Sequence, residues 1–427
     1  MRSHTPWGTR LTRRRAGKVG AGAVLLGALS GAPRVAAQER KKVTVWGEWS
    51  GEGEGQIKTM IDLFNQAQSE YEAEYVVQQD MITKFLTGAT SGQTPDVLVW
   101  DRWQTALYAP RGVLHAITDR MEADGISADA FYGEAVRELT WEDQLYGLPL
   151  TVDARALFYN KAHLEEAGVE PPTTWDELRE VAPALTKRDG DTLTQAGFSL
   201  GDVGLFSMYL RQAGGTMLTE DLSKTNFNNE KGLSVLQLWQ DLMDAGVYEV
   251  GYEAGLGEGT DAFVTGKVSM VLSGPWSIGT YEKFGQDLDF GVIPPFAGPN
   301  GDKGSVMGGF GLVIAEGAKE QDGAWELVKW WLADPANALT WGKTASNIPG
   351  NIEAAQDPFF TDDEHIAPVV ETLEFATIRP PVAGYAPMEV DALIPNLQLF
   401  MEGRQSAEEA LRKAQEDGDR ILQENNL

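Results

Sequence analysis

The sequence predicts an α/β fold made of two lobes with a cleft between them. Apolar stretches typical of strands alternate with helical patterns along most of the chain, as they do in parallel sheets covered by helices. One stretch, Asp96 to Trp100, is apolar almost throughout, which is typical of a strand covered on both faces. The two α/β patterns are joined by strand-like segments instead of a flexible linker. Clefts between such lobes are common small-molecule sites.

The first α/β pattern begins with a strand from Lys41 to Trp46, followed by a glycine-rich turn from Gly47 to Gly55. Apolar residues at positions 57, 60, 61 and 64 then recur at helical spacing and predict a helix. A second strand is expected at Tyr75 to Val77, and another helix precedes the third strand, Asp96 to Trp100. This order predicts a parallel α/β layer.

The segment from Leu145 to Lys161 is predicted to cross from one lobe to the other. It consists of two apolar runs around a polar break that contains Asp153 and Arg155. In extended chain these two residues point to the same side, because positions i and i+2 share a face. A surface hairpin with a solvated ion pair is the alternative that this local pattern leaves open.

The rest of the chain predicts a second α/β pattern. A short helix from Ala162 to Gly168 is followed by a helix that starts at Thr174, with Glu177 completing a capping box. Positions 235, 238, 239 and 242 mark another helix, and the chain is helix-rich from residue 367 onward. Further strand-like segments lie at Gly197 to Leu200, within Phe263 to Leu272 and at Phe290 to Pro295, and the segment from Met307 to Ile314 is glycine-rich and then apolar.

The first 37 residues are predicted to be a secretory signal peptide. They combine a cationic start without acids, an apolar run from Val19 to Leu29 and small residues before a cut after Ala37. The run is too short to span a membrane as a helix. Thr12-Arg13-Arg14 resembles a twin-arginine signal, and general secretion is the alternative. The mature chain is expected to be a soluble periplasmic or otherwise extracytoplasmic protein.

Charge and composition exclude several classes of partner and site. The net charge is −28, and −35 without the predicted signal, which argues against nucleic acid and anionic membranes as partners. The chain has no cysteine, which excludes disulfides, thiolate metal ligands and thiol nucleophiles. His115, His163 and His365 lack metal-site spacing, and no nucleophile elbow or phosphate-binding loop is present. We expect no metal, no cofactor and no catalytic residue.

A series of short motifs carries a family resemblance along the chain. The motifs are Trp46-Gly47-Glu48-Trp49-Ser50-Gly51, Thr94-Pro95-Asp96-Val97, Tyr146-Gly147-Leu148-Pro149, Phe158-Tyr159-Asn160-Lys161, Thr173-Thr174-Trp175-Asp176-Glu177-Leu178, Ser273-Gly274-Pro275-Trp276 and Gly308-Gly309-Phe310-Gly311. With this order and spacing, the chain resembles the extracellular solute-binding proteins, family 1, of carbohydrate ABC transporters, the group that includes maltose-binding protein.

The resemblance implies a two-lobed periplasmic-binding-protein fold, type II-like, with the ligand cleft between lobes joined by hinge strands. It implies an N-terminal lobe of residues 38–152 plus 311–356 and a C-terminal lobe of residues 153–310 plus 357–427. The implied function is that of the substrate-binding component of an ABC transporter, not an enzyme. Such a protein captures a sugar, most simply a di- or oligosaccharide, and delivers it to a membrane permease by hinge closure. We expect a monomer.

The resemblance also implies ligand contacts at the end of the third strand and at the first crossing. Asp101, Arg102 and Trp103 resemble the Asp-Arg pair and tryptophan of the family's sugar site, at a shorter spacing; a helix-start Asp with a surface Arg is the alternative. Asp153 aligns with a ligand-binding glutamate. Arg155 either joins it in the cleft or holds the hinge or the acid in place.

Further ligand contacts are implied in the second half of the chain. Asp202 aligns with a ligand-binding acid, although the family's following aromatic residue is absent here, and a plain loop acid is the alternative. Trp276 aligns with a stacking tryptophan, with lobe packing as the alternative. Gly309 lets the backbone approach the ligand or turns the chain. Arg379 is expected to fork onto hydroxyls and Tyr385 to stack, with a surface ion pair and an apolar contact as alternatives.

The loop after the first strand, with Glu48, Trp49 and Ser50, is a further implied ligand contact.

Two alternatives remain open for the function. A secreted carbohydrate-active hydrolase would use a carboxylate pair such as Asp101 and Asp153. The ligand of a binding protein would alternatively be a polyol or a glycerol phosphate.

Overall fold

The computed structural model describes residues 39–256 and 261–425. The predicted signal peptide, residues 1–37, lies outside the described residues. The strands are β1 (Lys41–Gly47), β2 (Tyr71–Val77), β3 (Val97–Asp101), β4 (Leu114–His115), β5 (Thr140–Trp141), β6 (Gln144–Leu145), β7 (Gly147–Pro149), β8 (Thr151–Ala154), β9 (Ala156–Asn160), β10 (Lys187–Asp189), β11 (Thr192–Gln195), β12 (Met270–Ser273), β13 (Phe290–Ile293), β14 (Ser305–Gly308), β15 (Phe310–Ala315), β16 (Ile348–Pro349) and β17 (Ala376–Thr377).

Helices cover the sheets and make up most of the C-terminal part. They are α1 (Glu52–Ala67), α2 (Met81–Ser91), α3 (Thr105–Tyr108), α4 (Thr118–Asp124), α5 (Gly133–Glu138), α6 (Lys161–Ala167), α7 (Trp175–Ala184), α8 (Phe206–Gln212), α9 (Glu230–Asp244), α10 (Trp276–Phe284), α11 (Gln321–Leu332), α12 (Pro335–Ala345), α13 (Ile352–Ala355), α14 (Pro358–Thr361), α15 (Ala367–Thr372), α16 (Tyr385–Pro387), α17 (Ile394–Met401) and α18 (Ala407–Asn425). Within the described ranges, no helix has the length and apolar character needed to cross a bilayer.

The first lobe is built on a sheet with the strand order β2-β1-β3-β15-β4, and β7 also pairs with β15. Strand β1 is parallel to β2 and β3, which confirms the predicted parallel layer. Strand β15 comes from a distant part of the chain and runs antiparallel to β3. The sheet therefore places the end of β3 beside the start of β15.

Helix α1 explains how this lobe forms its core. Its apolar positions Ile57, Met60, Ile61 and Phe64 are all buried, as their helical spacing predicts. The helix begins at Glu52, so the predicted turn up to Gly55 was too long. Acidic residues in the first turn stabilise this early start, because they interact favourably with the positive end of the helix dipole.

The second lobe has a smaller sheet in which β9 lies between β12 and β13, antiparallel to both. Helices α7, α8 and α9 enclose its main core, and the predicted N-cap is present, since the Thr174 side chain accepts a hydrogen bond from the Glu177 N–H. The strand predicted at Gly197 to Leu200 was wrong. Gly197 lies directly against the carbonyl of Ala182 at the end of α7, and the segment forms no continuous ladder, although the Ser199 N–H donates to the Met270 carbonyl of β12.

Two antiparallel strands, β8 and β14, connect the lobes. Asp153 lies opposite Gly308, and Ala154 lies opposite Met307. Strand β8 pairs with β14 and β16, whereas β9 pairs with β12 and β13 in the second lobe. The surface-hairpin alternative for Leu145 to Lys161 is therefore wrong.

Three hydrophobic clusters form the interior. One gathers residues between 43 and 150 and between 312 and 345, and another gathers residues between 157 and 296 and between 385 and 422. The third combines residues from both predicted lobes, among them Val152, Phe158 and Phe360. The crossing region therefore has a core of its own, and the predicted lobe boundaries stay a prediction.

Candidate functional site

A cleft of about 340 Å³ lies where the two crossings meet the lobes. It is lined by charged residues, two tryptophans and small residues, namely Asp101, Trp103, Asp153, Arg155, Asp202, Gly204, Leu205, Trp276, Val306, Gly308, Gly309, Phe310 and Arg379. Eight of the thirteen residues predicted from the sequence are in this lining: Asp101, Trp103, Asp153, Arg155, Asp202, Trp276, Gly309 and Arg379.

The fold brings these side chains together from six separate segments. Asp101 ends β3, and Trp103 follows in a short 3₁₀ turn, so both come from the carboxyl edge of the first sheet. Asp153 lies on the first crossing strand. Trp276 starts α10, and Asp202 caps the turn before α8. The first lobe, the crossing and the second lobe thus all contribute to the lining.

Asp153 and Arg155 form an acid-base pair inside the cleft. Arg155 Nη1 lies 3.7 Å from Asp153 Oδ1, and the Asp153 side chain is 16% exposed. Burial raises the pKa of Asp153, and the Arg155 guanidinium opposes that rise. Among the described residues, Asp153 Oδ1 has no hydrogen-bond donor. A largely buried carboxylate without its full set of donors is unfavourable.

Asp101 is the second carboxylate with a shifted pKa. Burial raises the pKa of Asp101 to about 6, against the opposing effects of a hydrogen bond with Trp103 and of the Arg379 and Arg102 charges. This carboxylate therefore changes charge near pH 6.

Two tryptophan-arginine pairs flank the carboxylates. The Arg155 guanidinium lies over the Trp276 ring at 4.3 Å from its centroid, and the Arg379 guanidinium lies 5.7 Å from the centroid of Trp103. The Trp276 side chain is 46% exposed, which is unusual for so large an apolar group. Flat apolar rings beside forked donors and carboxylate acceptors suit a ligand with both C–H faces and hydroxyl groups.

Comparison with known families agrees with this architecture. Residues 59–368 match the family model for the bacterial extracellular solute-binding protein. The chain belongs to this family.

Relatives of this solute-binding protein share its length and fold. A diacetylchitobiose binding protein of Streptomyces coelicolor is 26% identical over 367 residues, covering 80% of each chain. The crystal structure of a cyclic alpha-maltosyl-1,6-maltose binding protein from Arthrobacter globiformis superposes with a TM-score of 0.77 at 26% identity, covering 90% of this chain and 100% of that one. The GacH receptor of Streptomyces glaucescens, solved unliganded and with acarbose, gives 0.79 at 25% identity over 90% and 99%. The predicted two-lobed fold class is confirmed.

Two sequence-predicted contacts of the solute-binding protein do not line the cleft. Arg102 is fully buried behind the lining, and its Nε lies 3.1 Å from Glu138 Oε2. Tyr385 is 2% exposed, and its hydroxyl donates to Glu389 at 3.3 Å. It lines a neighbouring cavity instead. Both side chains are held by buried carboxylates, and no local sequence signal marks Glu138 or Glu389 as their partners.

The loop after β1 also lies outside the cleft lining. Trp49 packs edge-on against Phe310 with ring centroids 4.9 Å apart, and Glu48 accepts a hydrogen bond from the Met81 N–H at 2.9 Å. Glu48 thereby caps the start of α2. Glu48, Trp49 and Ser50 are therefore not among the lining residues, although Trp49 contacts the lining residue Phe310.

Five lining residues are not among the thirteen predicted contacts. Gly204 and Leu205 follow Asp202 in the same turn, Val306 and Gly308 belong to the second crossing, and Phe310 starts β15. Alternation along the strand was the available signal, since Val306 and Gly308 share a face of β14.

Among the residues that the structure describes, no three His, Asp or Glu side chains are grouped to hold a metal ion.

Proposed function

We propose that this solute-binding protein captures a sugar, a di- or oligosaccharide, in the cleft and delivers it to the permease of an ABC transporter. The observation that carries the proposal is the exposed Trp276 ring beside the Asp153–Arg155 pair. A sugar offers C–H groups on its ring faces and hydroxyls around its rim. Aromatic faces and charged hydrogen-bonding groups match these two features at once.

Hinge closure is the proposed mechanism of capture. A ligand favours the closed form only through contacts that the open form lacks. Asp101 and Trp103 lie on the first lobe, whereas Asp202 and Trp276 lie on the second, so a sugar between them bridges both. At the rim of the cleft, Lys283 of α10 already lies 3.4 Å from Glu52 of α1. This contact supports approach of the lobes across the opening.

The protein is proposed to bind its ligand without chemical change. The matched family and its relatives are binding proteins. The competing proposal is hydrolysis by the carboxylates of Asp101 and Asp153, which line the same cleft.

Cleavage of the predicted signal, by the twin-arginine or the general route, would release a monomer outside the cytoplasm. Mass analysis of the secreted chain tests this cut after Ala37.

A thermal-shift screen identifies the ligand class. The panel contains maltose, maltotriose, lactose, diacetylchitobiose and mannobiose, with sorbitol and glycerol 3-phosphate as the polyol and glycerol-phosphate alternatives. A ligand present at 100 times its Kd is expected to add about 2.7 kcal/mol to the free energy of unfolding. A shift with one or more saccharides supports the proposal. A shift with only glycerol 3-phosphate or only the polyol would contradict sugar capture.

Sugar affinity is expected to rise with pH because Asp101 titrates near pH 6. A ligand hydroxyl donating to the ionised carboxylate favours that form, so binding releases a proton. If binding returns the pKa to an ordinary value near 4, affinity is about tenfold higher at pH 7 than at pH 5. Titration calorimetry at both pH values measures this ratio. Asp101→Asn should flatten the profile, and an equal slope in both proteins would assign the titration to another group.

A further inference from the structure

We infer that Arg102 and Glu138 form a buried clamp that positions both crossings and thereby sets how the two lobes close. The inference rests on the proposed function, because it concerns the geometry of the same cleft. Arg102 is a positioning residue in this account: it acts on the ligand through the crossings and not by touching it.

The guanidinium of Arg102 joins both crossings at one point. Nη1 donates to the carbonyl of Thr151 on the first crossing. On the second crossing, Nη2 donates to the carbonyl of Gly308 at 2.6 Å, and Nη1 lies 3.3 Å from the carbonyl of Phe310 at the start of β15. Arginine suits this position because its planar fork presents several donors in a fixed geometry.

Glu138 holds the other edge of the guanidinium. Its Oε2 lies 3.1 Å from Arg102 Nε, and the two side chains are 3% and 0% exposed. Burying two charges is unfavourable unless hydrogen bonds compensate them, and apolar side chains of similar volume are often at least as stabilising. Because the guanidinium donates to carbonyls of both crossings, the pair points to control of backbone geometry.

Gly309 makes room for this clamp. Its φ is +126°, a region that favours glycine. A Cβ at this position would collide with Arg102 Nη1 and the Thr151 carbonyl oxygen. The glycine and the arginine are therefore fitted to each other, and a side chain at 309 would push the guanidinium off the crossings.

The clamp also connects the hinge to the ligand contacts. Arg102 lies between Asp101 and Trp103, which both line the cleft. The carbonyl that accepts from Nη2 belongs to Gly308, the strand partner of Asp153. A shift of Asp101 or Trp103 on ligand binding is thus passed to both crossings through one rigid side chain.

The test measures lobe geometry directly. The chain has no cysteine, so Asp62→Cys on α1 and Glu180→Cys on α7 place one spin label on each lobe. Arg102→Met combined with Glu138→Leu removes the charges and keeps the volume. We expect a folded protein whose interlabel distance distribution is broader than in the parent, with and without sugar, and whose affinity is lower by tenfold or more. The same changes at the partly exposed Arg188–Glu249 pair of the second lobe are the control.

Arg102→Lys is the second variant, used in case the double variant does not fold. Lysine keeps the positive charge beside Glu138 but lacks the planar set of donors of the guanidinium. It should broaden the distance distribution as well. Parent-like distances and affinity in both clamp variants would overturn the inference. The two proposals can fail separately. If the parent binds no sugar, the proposed function is contradicted. The interlabel distances measured without sugar still test the clamp in that case.

Discussion

Asp153→Asn is expected to weaken sugar binding by about 10- to 100-fold. The change keeps the shape of the side chain and removes the negative charge. A hydrogen bond to a charged group contributes about 1.5–3 kcal/mol, and each 1.4 kcal/mol is a tenfold change in Kd. The carboxylate lines the cleft beside Arg155, and its Oδ1 lacks a donor among the described residues. Titration calorimetry with the sugar found in the thermal-shift screen measures the loss.

The matched control for Asp153 is Asp176→Asn. Asp176 also pairs with an arginine, Arg179 at 2.9 Å, but its side chain is 90% exposed on the surface. Surface pairs of this kind contribute little, so affinity and melting temperature should both stay at the parent values. An Asp153→Asn protein with parent affinity would remove this carboxylate from the site.

Trp276→Ala is expected to weaken binding by about 30-fold or more while the fold stays intact. This loss equals about 2 kcal/mol. Residues whose removal costs this much dominate the binding energy of an interface, and tryptophan is common among them. Because the ring is 46% exposed, its removal leaves no large cavity in the core. It also removes the surface on which the Arg155 guanidinium lies. Calorimetry gives the affinity, and circular dichroism checks the fold.

Phe284→Ala is the control on the same helix. Phe284 ends α10 and is 42% exposed, so it tests the loss of an aromatic ring from α10 away from the cleft. The phenylalanine variant should bind like the parent. Equal loss in both variants would mean that α10 as a whole is perturbed, and no loss at Trp276 would contradict stacking.

The sequence predicted the cleft where the signal was local. Asp153 and Arg155 lie two apart in extended chain, so their shared face follows from strand geometry alone. The predicted parallel layer followed from alternating strands and helices, and the end of its third strand gave Asp101 and Trp103. The family resemblance then supplied Trp276 and Asp202, for which the local pattern left packing and loop roles open.

The sequence did not predict the orientation of Arg102. Its neighbours Asp101 and Trp103 line the cleft, while the 3₁₀ turn that begins at Arg102 directs this side chain inward to Glu138. The partner lies 36 residues away, and the carbonyls of residues 308 and 310 lie much farther along the chain. Contacts between residues so far apart along the chain produce no periodic pattern in the sequence. Tyr385 was mispredicted for the same reason, because its burial depends on the packing of the C-terminal helices.

The most direct test of sugar capture is titration calorimetry of the mature chain with the screened saccharides, followed by mass analysis of the recovered ligand. Sugar capture predicts saturable binding at one site per chain and complete recovery of unchanged sugar, with the interlabel distance shortened in the bound state. Shortened saccharide products would identify a hydrolase and contradict sugar capture without chemical change. Absence of binding across the whole saccharide panel would contradict it as well.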